Sequence, residues 1–98
     1  MGIQYRLYTE NRDNIPEIAV RYFESFTVFH GTGYYLGTPE HSTMIEIVLE
    51  VENRSRIEAL ASDINTLNNQ GCVLITEQPI TASLHTKRTK SLTVVSRE

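Results

Sequence analysis

The chain predicts an α+β fold, with a single four-stranded antiparallel sheet carrying two helices on one face. Three features of the 98 residues predict it. Short segments alternate apolar and polar residues with period two, two segments between them carry apolar residues at helical spacing, and turn residues mark each change of period.

Residues 3–10 set Ile3, Tyr5 and Leu7 on one face and Gln4, Arg6 and Tyr8 on the other, which is a strand. Asn11 to Asn14 form a polar turn in which Asp13 or Asn14 is placed to cap a helix. Pro16 falls in the first turn, where its missing N–H does no damage. Ile15, Ile18, Ala19 and Tyr22 then follow at helical spacing, predicting a helix over 15–24. Phe26 to Phe29 make a second strand over 25–30. His30 to His41, punctuated by glycine and rich in tyrosine, reads as a long hairpin arm or loop.

Thr43 to Val51 is the third strand, with Ile45, Ile47, Leu49 and Val51 on one face and Met44, Glu46, Val48 and Glu50 on the other. Ser55-Arg56-Ile57-Glu58 has the form of a capping box. Ile57, Leu60, Ala61, Ile64 and Leu67 or Asn68 mark one face of a helix over 56–69, with Gly71 as its left-handed cap. Cys72 to Thr76 is a compact apolar strand that stops before Pro79. The order is β-α-β-β-α-β, that of the ferredoxin-like sandwich, whose two right-handed crossovers put both helices on one side of the sheet. Residues 1–80 form this domain, and 81–98 are a basic polar tail. Ser91 to Val95 in the tail has the composition of an extra strand, paired within the subunit or onto a neighbour's edge.

The net charge of −3 is unevenly spread. Residues 1–80 hold five Arg against eleven acids, whereas 81–98 hold Lys87, Arg88, Lys90 and Arg97 against Glu98 alone. An acidic body repels phosphate backbones, so nucleic acid is not an expected partner. The third strand, Thr-Met-Ile-Glu-Ile-Val-Leu-Glu, also lacks the stacking aromatics of an RNA-binding sheet. No apolar run approaches the length of a spanning helix, so no membrane association is expected. Cys72 is the single cysteine, which excludes an intrachain disulfide and fits a cytoplasmic location. Its place in an apolar strand suggests a small buried hydrophobe rather than a nucleophile.

Several segments recur in a recognisable order: Phe23 to Val28, Gly33-Tyr34, Glu40-His41-Ser42, Ile45 with Ile47, and Gln70-Gly71-Cys72-Val73-Leu74. Over residues 5–80 this resembles a group of small bacterial and phage-associated ferredoxin-like proteins of unknown function. Tyr34 stands where that pattern often has tryptophan, and Ser25 where it often has glycine. The resemblance implies the fold and singles out the hairpin, and it implies no mechanism.

The side chains singled out as ligand- or partner-binding candidates are Thr27, His30, Tyr34, Tyr35, Glu40, Glu46 and Gln70, most of them on or beside the arm. Glu40-His41-Ser42 has the ingredients of a hydrolase, but adjacent residues of an extended segment point to opposite sides and form no relay. His30 and His41 flank the arm and would oppose each other across a hairpin, yet no C-x-x-C or H-E-x-x-H pattern accompanies them, so no metal is expected. Gly31-Thr32-Gly33 lacks the following helix of a phosphate loop, and no cofactor is expected. Glu46, mid-strand among apolar residues, needs a partner, and Arg6 is the one proposed.

Tyr8, Phe29, Met44, Val48 and either Leu74 or its neighbours are expected to leave an apolar area on the sheet face away from the helices, and such areas mark association. The reading is a homo-oligomeric binding or regulatory module that uses the aromatic arm 30–42 to recognise a protein or small molecule. Tyr34 and Tyr35 would be its anchors. The alternative is a small cofactor-free enzyme with a pocket between sheet and partner subunit, using Glu46 or His30. No catalytic residue is assigned, and binding is favoured over catalysis.

Overall fold

The computed structural model describes residues 1–85 and, for the backbone, 91–93. Lys87, Arg88, Lys90, Val94, Val95, Arg97 and Glu98, on which the readings of the tail draw, lie outside the described residues. The elements are β1 (Gly2–Glu10), α1 (Ile15–Ala19), β2 (Thr27–Tyr35), β3 (Thr38–Leu49), α2 (Arg54–Asn68), β4 (Leu74–Ile80), β5 (Ser83–His85) and β6 (Ser91–Thr93). The fold is mixed α+β. Its main sheet has four antiparallel strands in the order β2-β3-β1-β4, and β5 pairs with β6 in a separate two-stranded ladder.

Tyr5 pairs with Ile47 and Leu7 with Ile45, so the alternating apolar residues of the two central strands share one face. All four are fully buried, beneath Ile15 and Ile18 of α1 and Ile57, Leu60 and Ile64 of α2. Packing of two amphipathic helices on one side of a sheet supplies the apolar burial that stabilises the domain. The phenol of Tyr5 accepts from the Asn53 N–H at 3.3 Å, which ties the start of α2 to β1. Burial pushes the Tyr5 pKa above its usual value, against the smaller lowering effect of that hydrogen bond.

Four local expectations are corrected. Helix α1 stops at Ala19 rather than near residue 24. Beyond it the chain turns more tightly, with the N–H groups of Arg21 and Tyr22 donating three residues back. The Tyr22 carbonyl accepts from Arg56 Nε at 2.6 Å and its hydroxyl donates to Asp63, so contacts with α2 override the helical periodicity. The cap of α2 is Asn53, whose Oδ1 accepts from the Arg56 N–H, and Ser55 sits in the first turn. The left-handed C-cap is Asn69, with φ 50°, and not Gly71. Lastly, β4 runs on through Pro79. Since β4 is an edge and every second residue faces away from β1, a proline there need remove no ladder hydrogen bond.

The arm is strand throughout. Tyr35 pairs with Thr38 across a two-residue turn in which Leu36 (φ 49°) and Gly37 (φ 81°) both have positive φ. That is the turn whose twist matches a hairpin. Ser42 is the last β3 residue to pair with β1, opposite Glu10, so the four pairs from Thr32–His41 to Tyr35–Thr38 outrun the sheet by about 14 Å.

Candidate functional site: the open sheet face and the hairpin arm

The face of the sheet away from the helices is built in rows. Phe29 pairs with Met44, Met44 with Tyr8, and Tyr8 with Leu74, giving one unbroken apolar row across all four strands. Its ends are the most open, Phe29 being 46% and Leu74 61% exposed. The adjoining row is polar: Thr27, Glu46, Arg6 and Thr76. Glu46 accepts from Arg6 Nε at 3.0 Å, the partner expected from the sequence. That hydrogen bond is the main reason the Arg6 pKa is raised.

Where the apolar row meets the arm, a groove of about 480 Å³ opens. Its floor is Tyr8 to Glu10, one wall is Tyr34, Tyr35 and Glu40 to Ser42, and the other is Gly71, Cys72 and Leu74. Gly33 also lines it, so the wall there is bare backbone. Tyr34, 72% exposed, and Tyr35 present phenol rings at the rim, and Leu36 at the tip is 90% exposed. Rings with polar tips around a groove whose floor mixes Tyr8 with Thr9 and the ion-paired Glu10 can offer both apolar and polar contact to a second molecule.

The sequence candidates separate into three places. Tyr34, Tyr35 and Glu40 meet in the groove. Thr27 and Glu46 lie together in the polar row. His30 and Gln70 belong to neither: the His30 ring lies 3.4 Å from the Thr43 hydroxyl on the helix side, and Gln70 is buried. Gln70 Oε1 accepts from the Thr9 hydroxyl at 2.9 Å and its Nε2 donates to the Cys72 carbonyl at 3.1 Å. It thereby fixes the loop between α2 and β4 against β1, a structural duty.

The two histidines do not face each other, since His30 pairs with Thr43 and His41 with Thr32. Among the described residues no group of three or more His, Cys, Asp or Glu side chains is placed to hold a metal ion. The expected burial of Cys72 is corrected: the thiol is exposed and lines the groove, because β4 begins only at Leu74. Sequence reasoning also missed Glu10, which lies in the floor and pairs with Arg12 at 2.8 Å. Its position at the end of β1 beside the arm becomes visible only with the register. Comparison of the chain with protein-family models, with curated proteins and with solved structures finds no match.

Proposed function

We propose that this chain is a ferredoxin-like, homo-oligomeric binding or regulatory module of the cytoplasm, and that its recognition surface is the arm 30–42 with the apolar row at its base. The fold reading is supported by the β-α-β-β-α-β order of the first six elements and by strand pairings that make β1 parallel to β2 and β3 parallel to β4, each pair separated by one strand. The observation that carries the functional reading is the exposure of Phe29 and Leu74 in the apolar row and of Tyr34, Tyr35 and Leu36 on the arm beside it. Large apolar side chains grouped in this way generally mark an interaction surface. An exposed lone thiol suits a reducing compartment. No described helix is long and apolar enough to cross a membrane.

His30 and Glu46 face opposite sides of the sheet and are engaged by Thr43 and Arg6, so they form no acid–base pair across one pocket. The test is sedimentation equilibrium at micromolar concentration, together with thermal-shift screening against nucleotides, amino acids and metabolites. A mass that is a multiple of 11.2 kDa, or a ligand-induced shift lost in Tyr34→Ser/Tyr35→Ser, supports the module. A single 11.2 kDa species that no compound stabilises overturns it.

A further inference from the structure

The two edges of the sheet are built differently. Edge β4 carries Pro79, and its Glu77 is held by Arg54 at 2.6 Å. Proline and charge are the usual devices that stop an edge from pairing. Edge β2, Thr-Val-Phe-His-Gly-Thr-Gly-Tyr-Tyr, has neither: nine residues without proline, Asp, Glu, Lys or Arg. Self-pairing of such a strand sets no like charges against each other.

The register says which of its backbone groups point away from β3. Residues flanking a two-residue hairpin turn exchange both hydrogen bonds, and bonded pairs then alternate with non-bonded ones. Counting back from Tyr35–Thr38 makes Gly33–Glu40, Gly31–Ser42, Phe29–Met44 and Thr27–Glu46 the bonded pairs. The N–H and C=O groups of Val28, His30, Thr32 and Tyr34 therefore point outward. The His41 carbonyl accepts from the Asn11 N–H, on the β1 side, as this alternation requires.

The geometry points to a second copy of this chain pairing antiparallel along β2, with the two-fold axis at Gly31. This rests on the oligomeric reading above and names its interface. Centred there, Val28 meets the partner's Tyr34 and His30 the partner's Thr32. About eight backbone hydrogen bonds then close one continuous sheet. Gly31 would face its own symmetry mate at a Cα separation of about 4.5 Å. Within the monomer a Cβ on Gly31 meets nothing within 4 Å, and its φ is not positive, so neither crowding nor conformation calls for glycine. At the axis it leaves the centre of the seam clear of side chains. In the same register Phe29 lies opposite the partner's Gly33, and an aromatic ring beside a bare glycine is a known stabilising arrangement in sheets. The part of the arm that outruns its own sheet lies along the start of the other copy's β2, so its length gains a partner.

Sedimentation equilibrium of three chains, with cysteine cross-linking, tests this. The wild type is expected to be dimeric. Thr32→Pro, which removes only an outward N–H, is expected to be monomeric, and Leu74→Lys on the open face is expected to remain dimeric. In a Cys72→Ser background, Gly31→Cys is expected to form an intermolecular disulfide in high yield under mild oxidation. Gly33→Cys, about 14 Å from its mate, is not. A wild-type dimer that persists in Thr32→Pro, or that dissociates in Leu74→Lys alone, overturns the edge pairing and leaves the oligomeric reading standing. A monomeric wild type overturns both. Should Thr32→Pro fail to fold, the cross-linking decides: equal yields from Gly31→Cys and Gly33→Cys overturn the register.

Discussion

Alternate residues of β3 inhabit two environments. Ile45, Ile47 and Leu49 are sealed under α1 and α2, while Met44, Glu46 and Val48, from the same strand, face away from the helices and stay partly exposed. The strand geometry is common to both series, so the difference lies entirely in what covers them. One face holds the domain together through removal of apolar area from water. The other keeps comparable side chains available, with one polar row, Thr27–Glu46–Arg6–Thr76, running beside the apolar row. A small domain with a single sheet has area enough to bury one face alone.

The comparison breaks most sharply in paired truncations. Ile47→Ala should lose about 2–5 kcal/mol of unfolding free energy in urea, from lost burial and the cavity left behind. Met44→Ala, on the facing-away side of the same strand, should lose about 1 kcal/mol or less. Equal losses would mean that the open face is covered in the folded state. A smaller effect of opposite sign is expected at the arm. Leu36 holds a left-handed conformation (φ 49°) with its side chain exposed, so it gains no packing for the strain. Leu36→Asn should stabilise by about 0.5–1 kcal/mol, read as a rise in Tm, and leave the melting of the core cooperative.

The smallest effect is seen only in alkali. Tyr22 donates to the Asp63 carboxylate, and this hydrogen bond, followed by burial, raises the phenol's pKa in the folded protein. Because the neutral form is favoured by folding, the contribution is complete below the ordinary tyrosine value of about 10 and decays as pH rises through the raised one. Urea midpoints of wild type and Tyr22→Phe should therefore converge above that pH. A constant gap would show that the hydrogen bond adds no pH dependence.

Much of the fold was legible in the residues. Ile3, Tyr5 and Leu7, and later Ile45, Ile47 and Leu49, alternate without interruption, and a one-residue slip in register would turn every one of them to water. Helix α2 was equally clear, since Ile57, Leu60, Ala61 and Ile64 recur at helical spacing and all are buried. Its ends were misplaced because Asn53, Ser55, Asn69 and Gly71 are all competent caps, and β1 holds only the regions next to two of them, through Tyr5 on Asn53 and Thr9 on Gln70, the residue after Asn69. The arm was found by composition, but not its pairing. Glycines and tyrosines are compatible with loop and strand alike, and only the partner strand from Thr38 to His41 decides between them.

The candidate site followed the same division. Tyr34, Tyr35 and Glu40 lie close together along the arm and were found together. Gln70 looked functional because a polar residue beside a turn carries no mark of burial, yet it is enclosed by Thr9 and the Cys72 carbonyl. Glu10, Cys72 and Leu74 come from segments more than sixty residues apart at their extremes and share the groove only through the pairing of β1 with β3 and β4.

By itself the sequence determined which residues avoid water and with what period, because side-chain transfer and backbone geometry are local properties. Tertiary structure decided which polar groups are satisfied where, and which aromatic residues stay uncovered at the base of the arm. Those outcomes depend on neighbours brought in from distant parts of the chain, and the distances between them are set by strand register.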